Sequence, residues 1–228
     1  MTELHFATAA RRSFLRKSGL LGGAAGIGCL LPLAAHAQSG NVHDIRGTVM
    51  VNGARIDLNT QIRPGDTVVT QSDGFVMVAM GQDAFMMRSR SEMVIEPMNN
   101  AAGAVVVGAL RLVTGALGAV FGRSNLVRRV TTATATVGIR GTGVYLETRS
   151  RNNEIATYMC TCYGETELAS TADPRDRLQL QATRHLPRWV GATARDGTRI
   201  SEAPMDTHTD AEMDMLERCV GRRAPWFR

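Results

Sequence analysis

Between Asn41 and Glu96 the chain is cut so often by turn residues that no amphipathic helix fits, and this punctuation constrains the fold more than any other feature. Asp44-Ile45-Arg46-Gly47-Thr48-Val49-Met50-Val51 runs into Asn52-Gly53, a dipeptide suited to a two-residue hairpin because both positions tolerate positive φ. Ile62-Arg63-Pro64-Gly65-Asp66-Thr67-Val68-Val69-Thr70 follows, then the break Ser72-Asp73-Gly74, then Phe75-Val76-Met77-Val78-Ala79-Met80. Each run has the length of a strand, each break carries Gly, Pro, Asn or Asp, and none shows the helical period. Short strands at roughly even spacing predict a mainly β chain, arranged as a sandwich, a barrel or a solenoid-like sheet.

The apolar stretch from Gly103 to Phe121 has small residues at spacings that a membrane helix would use for packing. Arg111 at its centre would be costly in lipid, so two or three short strands are expected instead, such as 108–113 and 116–121. Arg128 and Arg129 precede the alternating run Val130-Thr131-Thr132-Ala133-Thr134-Ala135-Thr136-Val137, which closes at Gly138-Ile139-Arg140-Gly141-Thr142-Gly143-Val144-Tyr145. Glycines at 138, 141 and 143 mark a place where the backbone bends or approaches another strand closely. Arg140 is expected to bond turn carbonyls or a carboxylate there, with an anionic ligand as the alternative.

Four elements in this order resemble successive signatures of the FecR domain, named after the periplasmic part of the ferric-citrate signalling regulator. They are residues 62–70, Arg88-Ser89-Arg90-Ser91-Glu92-Met93-Val94-Ile95, Leu110-Arg111-Leu112-Val113-Thr114-Gly115-Ala116, and Val137-Gly138-Ile139-Arg140-Gly141-Thr142. The resemblance covers residues 42–168, and its most specific piece is Gly138-Ile139-Arg140-Gly141-Thr142. It implies a solenoid-like or twisted β-sandwich domain outside the cytoplasmic membrane, used for protein contact and signalling and not for catalysis. The regulator itself resembles an anti-sigma segment joined through a membrane span to its periplasmic part, whereas here the preceding segment reads as an export signal only. Residues 153–228 resemble an extension that recurs in some exported proteins of this kind. The expected division is therefore a signal over 1–37, a FecR-like β domain over 42–168 and a C-terminal extension over 169–228.

The signal rests on Arg11-Arg12-Ser13-Phe14-Leu15-Arg16-Lys17, a soft Gly- and Ala-rich apolar run, and Ala35-His36-Ala37 as a small-x-small cleavage site. Together these read as a twin-arginine export signal cleaved after Ala37, which places the rest in the periplasm. An uncleaved signal is the only membrane attachment expected. The formal net charge of +5 changes meaning accordingly, because four of the 26 basic residues lie in this segment against a single acid. The remainder is close to neutral and lacks the aromatic interleaving of a nucleic-acid surface, so no nucleic-acid partner is expected.

Cys29 leaves with the signal, and Cys160, Cys162 and Cys219 remain. An odd number in an oxidising compartment leaves at least one thiol unpaired or bound to something. Tyr158-Met159-Cys160-Thr161-Cys162-Tyr163 alternates like a strand, with Gly164 leading into what reads as the return arm of a hairpin. Cys160 and Cys162 then share a face about 6.6 Å apart, near the long limit for a disulfide. Three fates stay open: a soft metal ion held with His185 and His208, a disulfide to Cys219, or inert buried thiols. The spacing matches no zinc finger, and no cofactor is firmly predicted beyond such an ion.

Thr209-Asp210-Ala211-Glu212 has the form of a capping box opening a short C-terminal helix, with Met213, Leu216 and Val220 on one face and Gly221 as the stop. No Gly-x-Ser-x-Gly elbow, phosphate loop or His-Glu-x-x-His is present, and Asp57, Asp66, Asp73 and Asp83 sit in turns where local hydrogen bonding is their usual role. The chain is accordingly expected to be no enzyme. It reads as a periplasmic binding or signalling module contacting an envelope protein, a cell-wall component or a small ligand. The alternative is a metal-binding or thiol-redox protein built on Cys160 and Cys162.

Overall fold

The structure is a computed structural model that describes residues 40–227; the signal residues Arg11, Arg12, Ala35 and Ala37 lie outside the described residues. The strands are β1 (Val42–Arg46), β2 (Val49–Val51), β3 (Ala54–Arg55), β4 (Thr67–Thr70), β5 (Phe75–Met80), β6 (Asp83–Met87), β7 (Ser91–Asn99) and β8 (Val105–Thr114). There follow β9 (Ala116–Val120), β10 (Arg128–Thr131), β11 (Ala135–Ile139), β12 (Gly143–Arg151), β13 (Glu154–Ser170), β14 (Arg177–Ala182), β15 (Leu186–Arg195) and β16 (Thr198–Glu202), then the helix α1 (Asp210–Cys219). The expected mainly β class with one short C-terminal helix is what the chain adopts, in a single large sheet that is not closed into a barrel.

That sheet is folded over on itself. One layer runs β1-β5-β6-β9-β12-β13-β15-β16 and the other β3-β2-β4-β7-β8-β10-β11-β13-β14. The 17-residue β13 belongs to both: residues 156–161 pair with β15 and residues 164–169 with β14. Val76, Val78, Phe85, Met87, Leu117, Leu146 and Met159 of the first layer pack between the layers against Val68, Met93, Ile95, Leu110 and Leu112 of the second. Their sequence neighbours Met77, Ala84, Met86, Val120, Tyr145, Tyr158 and Cys160 form a second apolar cluster on the outer face of the first layer, with Met213 and Leu216 of α1. This is why β9, and β6 beyond its opening Asp83, read as apolar runs and not as alternation: both of their faces are covered.

Three local expectations change. Gly164 does not turn a hairpin; with φ +86 it bends β13 as the strand passes from one layer to the other, and the return arm is β14. The run 130–137 is two strands, because the Thr132 hydroxyl accepts from the backbone N–H groups of Thr134 and Ala135 and closes a turn between them. Asp57 and Asp66 do bond within their turns, but Asp73 accepts from Thr48, 25 residues away, and Asp83 is buried against Arg128, which is 45 residues away.

The helix opens as its sequence predicts. Thr209 caps the Glu212 N–H, and the Glu212 carboxylate accepts from the Thr209 N–H at 2.8 Å. On the buried side Asp214 accepts from Arg218 at 2.8 Å, Arg223 at 2.9 Å and the Ala224 N–H at 3.0 Å. Burial works against ionisation of this carboxyl, but these donors outweigh it and pull its pKa from 3.8 down to about 2. A folded-state value below the unfolded one contributes stability above about pH 4 that drains away as the pH falls through about 2. Asp214→Asn is expected to flatten that part of the acid limb in urea midpoints measured from pH 5 to pH 2; an unchanged slope would show that the carboxylate does not hold the helix.

Candidate metal centre

Alternation along β13 turns Tyr158, Cys160 and Cys162 to the outer face and Met159 toward the space between the layers. Both cysteines are fully buried. The pairing of β13 with β15 sets Cys160 opposite Pro187 and Thr161 opposite Leu186, which brings the residue just before β15 beside Cys162. That residue is His185, whose N–H donates to the Cys162 carbonyl at 2.8 Å while its backbone takes φ +42, an uncommon conformation for a side chain with a Cβ.

His208 arrives from the opposite direction, in the segment between β16 and α1. Its ring stacks on Tyr145 with centroids 4.4 Å apart and planes 10° from parallel. Arg88 ties this segment down by donating to the Thr207 carbonyl at 2.7 Å and to Glu212 at 2.5 Å. The four residues expected from the sequence are thus brought together from three parts of the chain, and their donor atoms all lie within 4.8 Å of one another.

A tetrahedral ion with bonds of about 2.3 Å to sulfur and about 2.0–2.1 Å to nitrogen needs sulfur–nitrogen separations of roughly 3.5 Å and a nitrogen–nitrogen separation of roughly 3.3 Å. Cys160 Sγ stands 3.7 Å from His185 Nδ1, Cys162 Sγ 3.2 Å from His208 Nε2, and the two imidazole nitrogens 3.1 Å apart. The far nitrogens of both rings are also engaged. His185 Nε2 meets Asp210 Oδ1 at 2.7 Å, and His208 Nδ1 meets the Thr207 hydroxyl at 2.9 Å. Such outer partners fix ring orientation and raise ligand basicity in metal sites. Asp210 is in turn paired with Arg184.

The charges suit a cation. A hydrogen bond from Cys162 holds the Cys160 thiol well below its ordinary value, against burial and with help from His185 and His208. Burial pushes Cys162 the other way, so without an ion the pair shares a single thiolate. Burial alone would lower the pKa of His185, but Cys160 and Asp210 overcome it and raise the value. Two sulfur and two nitrogen donors, buried except for a partly buried His185, would fill every position of a tetrahedral ion, as in a structural centre.

The disulfide alternative finds no partner. Among the described residues Cys160, Cys162 and Cys219 are free thiols, and Cys219 lies at the far end of α1 with its sulfur 3.0 Å from that of Met77. The glycine-rich corner separates into two parts. Thr142 is buried and donates to the Tyr163 carbonyl, and a Cβ on Gly143 would stand 2.4 Å from the Tyr163 ring, so the corner presses against the end of the cysteine-bearing part of β13. Gly141 takes φ +67, whereas Gly138 meets nothing closer than ordinary contact at 3.6 Å. Arg140 is exposed, and no hydrogen bond or ion pair of its guanidinium is found among the described residues, contrary to the expected carbonyl or carboxylate contact.

Sequence reasoning missed Asp210, Thr207 and Tyr145 as supports of the cage. Asp210 and Thr207 flank His208 in the sequence, so a histidine just ahead of a capping box was the available signal; nothing local points to Tyr145.

No protein-family profile matches the chain, and no curated protein matches it. Among solved structures it is similar to two crystal structures of a candidate anti-sigma factor from Parabacteroides distasonis. The first has a TM-score of 0.45 at 11% identity over 61% of this chain and 60% of that one. The second has a TM-score of 0.44 at 11% identity over 69% of this chain and 61% of that one. The chain thus spans about three fifths of the length of these structures, and the centre stands on its own residues.

Proposed function

We propose that this is an exported, non-enzymatic binding module of the FecR type whose C-terminal part is organised by a Cys160–Cys162–His185–His208 centre for a thiophilic cation of the zinc class. The observation that carries the reading is the convergence of four sulfur and nitrogen donors within 4.8 Å of one another, with the far nitrogen of each histidine held by Asp210 or Thr207. The ordered motifs over 62–142 support the family, and the paired arginines at 11 and 12 support export in the folded state, with the ion already loaded. The β surface contacts an envelope protein or cell-wall component, and the centre shapes that surface without doing chemistry.

Elemental analysis of protein purified natively from the periplasm tests this. One ion per chain is expected in the wild type, and a tenth of that or less in Cys160→Ser, because a hydroxyl is a poor replacement for a thiolate on such ions. Metal-free protein with a Cys160–Cys219 or Cys162–Cys219 disulfide would sink the reading. Crosslinking in intact cells then identifies the partner.

A further inference from the structure

The four donors are not equivalent in how they are held. Cys160 and Cys162 belong to β13, between β12 and β15, and His185 is fastened to Cys162 by its backbone; these three travel with the sheet. His208 alone belongs to the C-terminal segment, residues 203–227, which lies across the outer face as a roof.

That roof shares no strand ladder with the sheet, and side chains hold it, among them Tyr163 on Glu217, Arg184 on Asp210 and Arg222 on the Gln82 carbonyl. Met213 and Leu216 are the fully buried apolar side chains of α1, Arg88 holds Thr207 and Glu212, Tyr158 donates to the Pro204 carbonyl at 3.1 Å, and Trp226 packs 5.2 Å from the His185 ring. A helix of ten residues depends on such contacts to exist at all. Cys160 and Cys162 are at 0% exposure and His208 at 6%, so no ion reaches the sulfurs while the roof is seated.

We infer that the centre fills and empties in two steps: Cys160, Cys162 and His185 form a standing three-donor site with one open position, and the C-terminal segment closes that position by delivering His208. This rests on the reading that the cage holds a metal ion and goes beyond it by fixing the order of the ligands and the path of exchange. Opening of the roof costs less than unfolding the sandwich, because it breaks side-chain contacts and leaves every strand ladder intact. Asp210 couples the two events, because it is both the first residue of α1 and the partner of His185 Nε2.

The test is the rate at which the folded, Zn²⁺-loaded protein gives up its ion to an excess of a chromophoric chelator. Leu216→Ala loosens the roof and leaves every donor in place; it is expected to release Zn²⁺ at least roughly tenfold faster while still binding one ion per chain. Arg88→Gln cuts the ties to Thr207 and Glu212, removes no buried apolar side chain and should also speed release, which keeps the inference testable if Leu216→Ala fails to fold. Leu112→Ala removes a comparable side chain between the layers, away from the roof, and should release at the wild-type rate. His208→Ala should still bind Zn²⁺, more weakly and with faster exchange than either roof variant.

Equal acceleration in Leu112→Ala and Leu216→Ala would mean that release goes through global unfolding and would overturn the inference, as would a wild-type rate in both roof variants. Complete loss of Zn²⁺ binding in His208→Ala would overturn the standing three-donor site. Wild-type protein that binds no Zn²⁺ at all would instead overturn the functional reading, and this inference with it.

Discussion

Removing the ion with a chelator is expected to lower the melting temperature by about 10 °C, and Cys160→Ser is expected to abolish the difference between metal-loaded and metal-free protein. A ligand that binds only the folded state at a free concentration 1,000 times its dissociation constant stabilises by about 4 kcal/mol. For a domain of this size each kcal/mol is worth about 2–4 °C. The cage is incomplete unless β13, the approach to β15 and the segment before α1 are all in place, so the unfolded chain offers no comparable site. Differential scanning calorimetry at fixed protein and free Zn²⁺ concentrations checks this. A shift below about 2 °C at saturating Zn²⁺ would leave the centre without the organising role assigned to it.

The fold was legible where local chemistry decides it. The Asn52-Gly53 hairpin, the Gly108 to Phe121 strands and the capped helix from Asp210 all lie where turn residues, β-branched runs and caps put them. Legibility failed where a residue answers to a distant partner. Gly164 reads as a hairpin turn because strand-like runs lie on both sides of it, yet a 17-residue strand that serves two layers needs a bend without a reversal, and glycine supplies either. Arg140 looked anchored because of its glycines, but the closeness they allow is between Gly143 and the Tyr163 ring, and the arginine itself is exposed.

The centre was half legible. The Cys-x-Cys pair on a strand gave the shared face, and the scarcity of histidine singled out His185 and His208. What no spacing rule encodes is that the donors come from β13, a positive-φ residue ahead of β15 and the segment before α1, which only the sheet register brings within bonding distance.

Asp83 shows the same limit with a larger energetic consequence, and Asp83→Ala is expected to cost about 3–5 kcal/mol of stability. Read locally, Asp83 is a turn carboxylate after Gly81-Gln82. In the fold it opens β6 in one layer and accepts from Arg128, the first residue of β10 in the other, with the two side chains 12% and 7% exposed. Asp83 also accepts from the Gly122 N–H at 2.9 Å, Arg128 donates to the Gly122 carbonyl, and the guanidinium lies 5.3 Å from the centre of the Phe121 ring. The pair therefore pins the end of β9 and the start of β10 across the mouth of the sandwich.

Truncating the aspartate leaves a buried guanidinium without its counter-charge, which is costlier than never having had the pair. Arg128 Nε already has no partner, so little spare hydrogen bonding is available to absorb the change. The double variant Asp83→Leu with Arg128→Met should accordingly recover most of the loss, because it removes both charges and keeps the volume. Urea unfolding of the single and double variants reads this directly. If Asp83→Ala shifts stability by less than about 0.5 kcal/mol, the pair behaves like a surface contact and does not join the layers. If the single variant is costly and the double variant costs at least as much, the hydrogen bonds to Gly122 matter more than the charge pairing, and the mouth is held by its backbone.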